Sequence, residues 1–188
     1  MNLLIAYATT DGMTARIAER VAETVRASGN SADVVDCKVL PGGFDPSRYD
    51  AILLGASMHV QGYQHAATMF VRHYLAALRT RPSGFFSVCL SVVSNHAEER
   101  ASARRIAEEF PAKLGWKPDV IETIAGELTF SKYGFFRRLA MKAIAKKEMG
   151  SVDTSHDSAF TDWLAVERFA RDFVARVGTQ TAAVAQHA

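Results

Sequence analysis

The chain has 188 residues, 48% hydrophobic and 22% charged, which suits one globular domain with its own core and excludes a chain that is disordered as a whole. A formal net charge of +2 and a pI near 8.6 are too mild to argue for a nucleic-acid partner. Two distant cysteines, Cys37 and Cys89, form no C-x-x-C pair and read as free thiols of a reducing compartment.

Met1 leads straight into the apolar run Leu3–Ala6, so no signal peptide is expected. No stretch approaches the ~18 apolar residues of a membrane span. Asn2–Tyr7 reads as a buried strand. Met13–Ser28 follows as a helix, with Ile17, Val21 and Val25 on one stripe, closed by Gly29-Asn30. Ala32–Asp36 is a second strand. Leu40–Ser47, with Pro41, Gly42, Gly43 and Pro46, is a loop. Ala51–Ala56 is a third strand, near-continuously apolar as a strand covered on both faces should be. His65–Leu78 carries a helical pattern, Phe85–Leu90 a fourth strand, and Ala97–Leu114 a helix disturbed at Pro111. Val120–Leu128 is a fifth strand. Thr161–Val177 is a last helix with Trp163, Val166, Phe169, Phe173 and Val177 on one face, and the tail 178–188 is expected to lack structure.

Five strands alternating with helices predict one α/β domain over 1–177, a doubly wound parallel sheet of order 2-1-3-4-5. Such an order leaves a ligand crevice at the carboxyl ends of strands 1 and 3. Thr129–Phe160 breaks the alternation and is too long for a plain loop.

The loop Thr9-Thr10-Asp11-Gly12-Met13-Thr14 joins strand 1 to the first helix. Unpaired N–H groups at a helix start favour an anion, and three hydroxyls add donors. Gly12 permits a sharp turn and close approach of a ligand. The loop holds no Lys or Arg, and neither G-x-x-x-x-G-K-[ST] nor G-x-G-x-x-G is present. A phosphomonoester held by neutral donors fits this loop better than a nucleotide triphosphate. The competing reading is that these residues only cap the helix.

Tyr7–Thr14 resembles the FMN-phosphate loop of flavodoxins, and the predicted sheet is flavodoxin-like. Gly55–Tyr63 and Cys89–Asn95 are placed like the two loops that flank the flavin ring. The resemblance is closer to the menaquinone-dependent protoporphyrinogen dehydrogenases. It is carried by Thr9–Thr14, Gly55-Ala56-Ser57, Phe85–Val88, Ile124-Ala125-Gly126, Asp153-Thr154 and Phe160-Thr161-Asp162-Trp163. His59-Val60 departs from the more basic, aromatic residues of that family. The resemblance implies FMN bound by Thr9, Thr10, Asp11, Gly12, Met13 and Thr14. It places Ser57, Met58, His59, Tyr63, Leu90, Ser91, Val92, Val93 and Ser94 beside the ring. It implies FMN-dependent oxidation of protoporphyrinogen IX with menaquinone or ubiquinone as acceptor. The location implied is cytoplasmic, peripheral to the inner face of the cell membrane.

Within the insertion, Ser131–Met149 holds Lys132, Arg137, Arg138, Lys142, Lys146 and Lys147 against one acid, Glu148. Aromatic and aliphatic residues fill most of one helical arc there. Such a helix packs on the domain with a solvated basic face, lies on an anionic membrane surface, or offers Arg137, Arg138 and Lys142 to the propionates of a porphyrin.

The six histidines show no metal spacing, and no metal is expected. Gly55–His59 lacks the second glycine of a nucleophile elbow, and Ser155-His156-Asp157 are merely adjacent. No catalytic acid or base stands out, since a flavin would carry the chemistry. The alternative is a long-chain flavodoxin acting as a non-enzymatic electron carrier, which the basic pI and insertion disfavour. A flavin-free binding module of the same fold is the third class.

Overall fold

The computed structural model describes residues 1–59, 62–128 and 158–185. Its strands are β1 (Asn2–Ala8), β2 (Ser31–Asp36), β3 (Ala51–His59), β4 (Gly62–Tyr63), β5 (Ser83–Cys89), β6 (Val120–Ala125), β7 (Glu127–Leu128) and β8 (Ser158–Ala159). Its helices are α1 (Met13–Ala27), α2 (His65–His73), α3 (Leu75–Thr80), α4 (Ala97–Lys113) and α5 (Trp163–Ala185). Parallel strands run in the order β2-β1-β3-β5-β6, with β4 hooked antiparallel onto β3. For the five principal strands this is the doubly wound order expected from the sequence.

Side chains on a strand alternate between faces, and here both faces are covered. Leu3 and Ile5 of β1 enter one core with Phe86 and Val88 of β5. Leu4 and Ala6 enter the opposite core with Ile52, Leu54 and Phe85. On the first face α1 supplies Ile17, Val21 and Val25, and α5 supplies Val166, Phe169 and Phe173. On the second, α2 supplies Phe70 and Val71, α3 Leu78 and α4 Ala107. Burying each large aliphatic side chain stabilises the fold by about 1.5–3 kcal/mol. Gly55 lies within β3 because a Cβ there would sit 2.0 Å from the Phe86 ring.

Several boundaries differ from the sequence reading. The helical pattern His65–Leu78 splits at Tyr74, whose ring meets Phe44 edge-on at 5.4 Å and Phe70 at 5.0 Å. This tertiary aromatic cluster leaves no mark on local periodicity. Helix α4 runs through Pro111, which is buried near its end; the Pro111 carbonyl accepts from Trp116 N–H at 2.9 Å. The fifth strand stops at Ala125, and after Gly126 the residues Glu127–Leu128 turn to pair with Ser158–Ala159. The two ends of the insertion are thereby tied together, with Thr161 Oγ1 donating to the Ala125 carbonyl at 2.7 Å. Finally, the last helix continues past Val177 to Ala185, where Gln180, Ala182, Ala183 and Ala185 favour a helix more than Thr179, Thr181 and Val184 oppose it. The basic stretch with Arg137, Arg138 and Lys142 lies outside the described residues.

Candidate functional site

Parallel registry brings the carboxyl ends of the central strands level. Ala8 of β1 pairs with Ala56 of β3, and Ser57 of β3 with Val88 of β5. The loops that follow these strands therefore meet on one edge of the sheet, where the strand order reverses.

The loop after β1 ends on Gly12, whose φ of 95° lies in the left-handed region that glycine adopts without strain. Gly12 N–H donates to Thr9 Oγ1 at 2.9 Å, closing the turn. The N-cap residue is Gly12, which has no side chain to cap α1, and the first turn carries no acid. Arg16 N–H is the first to reach back, to the Gly12 carbonyl at 3.2 Å. The N–H groups of Met13, Thr14 and Ala15 precede the intrahelical ladder. Thr14 is fully buried, and its Oγ1 has no hydrogen-bond partner. A buried hydroxyl without a partner costs free energy that an anion accepting from it restores. Met13 sends its side chain into the core, so it offers the site only its backbone.

Although the loop itself has no cation, Lys38 supplies one from the end of β2. Its Nζ donates to the Thr9 carbonyl at 2.7 Å, while its N–H is held by Asp36 Oδ1 at 2.8 Å. Lys38 lies twenty-nine positions from Thr9, and only the pairing of β2 with β1 joins them.

Ser57, Met58 and His59, expected in a loop, instead extend β3. Met58 pairs with Tyr63 and His59 with Gly62 in a short hairpin. Residues 60–61 and the side chain of His59 lie outside the described part. Gln64, absent from the sequence-derived set, links two loops: its Nε2 donates to Ser57 Oγ and, at 3.2 Å, to Thr10 Oγ1. Gln64 Oε1 is buried and has no hydrogen-bond partner.

Tyr63 is engaged below the loops rather than offered at their surface. Its hydroxyl donates to Ser87 Oγ at 2.8 Å, and its ring meets Phe110 at 4.5 Å and Phe85 at 5.3 Å. Burial pushes the phenol well above its usual pKa.

Leu90–Val93 form one 3-10 turn after β5, half-buried throughout. The Cys89 thiol beneath it is pushed up by burial, although the N–H groups of Val92 and Ser91 oppose the shift. Ser94 spends its polar groups internally. Its Oγ donates to Glu99 Oε2 at 2.6 Å and accepts from His96 N–H at 3.1 Å, and its carbonyl accepts from Arg100 Nη1 at 2.5 Å. Leu90, Ser91, Val92 and Val93 remain as the wall this loop offers. The Cys37 thiol, near the loop after β1, is pushed up to about 12 by burial and by the Asp36 charge. Both cysteines are protonated at neutral pH, so neither offers a thiolate nucleophile. Among the described residues no cluster of His, Cys, Asp or Glu could hold a metal.

The site thus has a polar end around the start of α1 and an apolar wall at the turn after β5. That combination suits a ligand with an anionic group at one end and a flat, mostly apolar body at the other.

Residues 4–155 match the family model described as Flavodoxin domain. The chain is 33% identical over 175 residues to the protoporphyrinogen IX dehydrogenase (quinone) of Escherichia coli strain K12, covering 92% of this chain and 94% of that protein. It is 32% identical over 173 residues to the protein of the same name from Leishmania major, covering 92% and 74% respectively. Among solved structures, a flavodoxin from the domain Archaea superposes with a TM-score of 0.56 at 14% identity, covering 95% of this chain and 99% of that one. Oxidised Flavodoxin 1 from Bacillus cereus gives 0.54 at 16% identity, covering 93% and 97%. At such identities the structural likeness speaks for the fold alone.

Proposed function

The chain belongs to the protoporphyrinogen IX dehydrogenase (quinone) family of flavodoxin-domain proteins, and from that membership we propose that it oxidises protoporphyrinogen IX to protoporphyrin IX with FMN as cofactor and a quinone as acceptor. The observation that carries this reading is the 33% identity maintained over 94% of the Escherichia coli enzyme's length. The macrocycle loses six electrons and six protons in three two-electron steps, and three quinones leave as quinols. Bound FMN would supply the two-electron relay between them.

The protein's own residues bind and orient. FMN fits the polar end on two observations: the buried, partnerless Thr14 hydroxyl and the α1 start at Gly12, an N-cap without a side chain. We assign Thr9–Thr14 to its phosphate, as donors that are stronger toward a charged acceptor than toward a neutral one. Lys38 adds a positive charge to that end through the Thr9 carbonyl, and Gln64 holds the loop in register with Ser57. Ser57, Met58, His59 and the wall Leu90–Val93 flank the ring in this reading, with Tyr63 supporting them from beneath and Ser94 bracing the wall from within. No described side chain is needed as an acid or base.

Arg137, Arg138 and Lys142 are proposed to meet the propionates of the substrate or an anionic membrane surface, where the quinone resides. No described helix is long and apolar enough to cross a membrane. The test is anaerobic turnover of purified, FMN-loaded protein with protoporphyrinogen IX and a quinone, followed by porphyrin fluorescence. The expected result is porphyrin formation with three quinones consumed per macrocycle. A flavin that cycles with dithionite while no porphyrin forms would make the protein an electron carrier.

A further inference from the structure

A cavity of about 560 Å³ lies between edge strand β6 and helix α5, away from the polar end of the site. Its size is that of a small-molecule site. Ile124, Val166, Phe169 and Phe173 give it an apolar floor, all of them buried in the core of that face. Val92 and Val93 also line it. The cavity is therefore continuous with the turn proposed to flank the flavin ring.

Its charges decide between occupants. Among the described lining residues, Arg168 and Arg176 stand with Glu122, Asp162 and Asp172, one more acid than base. A substrate with two propionates would add like charge to a lining that already leans negative. An uncharged planar ring incurs no such repulsion. It needs an apolar wall and a few donors to its carbonyl oxygens, which Thr123 and the two guanidinium groups supply.

We propose that this cavity is the quinone site, distinct from the place where the tetrapyrrole meets the flavin; the assignment rests on the function proposed above. A quinone held there would accept two electrons and two protons and leave as the quinol, with bound FMN supplying the two-electron relay from the macrocycle.

The test fills the cavity from α5 with Ala165→Trp, a half-buried lining position. Menadione, a tailless naphthoquinone, is the probe. Calorimetric binding of menadione to the oxidised, FMN-loaded protein is expected to weaken by about tenfold or more, a change of about 1.4 kcal/mol. In stopped-flow, oxidation of the reduced flavin by menadione slows in parallel. Reduction of the flavin by protoporphyrinogen IX stays within about twofold of wild type, under 0.5 kcal/mol. Unchanged menadione binding overturns the proposal, and so does a variant that slows only the reductive step. Should Ala165→Trp fail to fold, Asp172→Arg on the exposed flank of the same cavity serves instead. It reverses the charge balance, so menadione affinity should hold while a bound dicarboxylate would tighten and become salt-dependent. Tightening of protoporphyrinogen IX by Asp172→Arg therefore overturns the assignment. A wild-type flavin that protoporphyrinogen IX does not reduce at all would instead defeat the underlying function, a separate and visible failure.

Discussion

At the α1 end of the site, Thr14 Oγ1 is buried with no partner and the N-cap, Gly12, has no side chain to offer. At the β5 end, Ser94 donates to Glu99, accepts from His96 N–H and has its carbonyl bound by Arg100, while Tyr63 donates to Ser87. Both ends sit on the same edge of one sheet. One leaves polar groups unmet and so holds binding energy in reserve for a ligand. The other satisfies its polar groups within the protein and presents a fixed shape. A buried polar group that lacks a partner costs more than a made hydrogen bond returns, so the unmet end is where ligand identity should matter most.

The largest expected effect is on that unmet end. Thr14→Val removes a donor to a charged phosphate and should cost about 1.5–3 kcal/mol of FMN binding. That is about one to two decades in affinity. Riboflavin, lacking the phosphate, should bind the variant as it binds wild type. An equal loss for both flavins would break the contrast.

Ser94→Ala probes the satisfied end. It strands the Glu99 carboxylate and the His96 N–H and should destabilise the fold by about 1–3 kcal/mol, read as a lower denaturant midpoint at unchanged m. Flavin affinity measured well below the transition should hardly move. Loss of flavin without loss of stability would show that Ser94 serves the ligand after all.

The smallest effect belongs to Lys38→Met. Lys38 is exposed, so solvent screens its charge. FMN affinity should fall by about two- to fivefold, and the difference should shrink as salt is raised. A variant indistinguishable from wild type at low salt would leave the Lys38 ammonium a purely local tie to Thr9.

The contrast between the two ends was half legible in the sequence. Leu3–Ala6 and the Ile17–Val21–Val25 stripe declare β1 and α1 by their periods. The Thr-rich turn between them is contiguous, so its chemistry reads directly. Lys38 and Gln64 reach the same place only through strand pairing and a hairpin, and no local signal announces either one. The resemblance places Tyr63 beside the ring, yet Phe85 and Phe110 draw its side chain inward. The resemblance places Ser94 beside the ring as well, while Glu99 and Arg100 engage its polar groups from the start of α4. The split of the expected fifth strand at Gly126 likewise depends on Ser158–Ala159, about thirty residues away in sequence.

The most direct test of the unmet end is a side-by-side titration of the flavin-stripped wild-type protein with FMN and with riboflavin at one pH and ionic strength. If the open start of α1, the Thr14 hydroxyl and the Lys38 charge hold the phosphate, FMN should bind tighter by about two decades or more, that is by about 2.7 kcal/mol. Equal affinities for the two flavins would contradict the account.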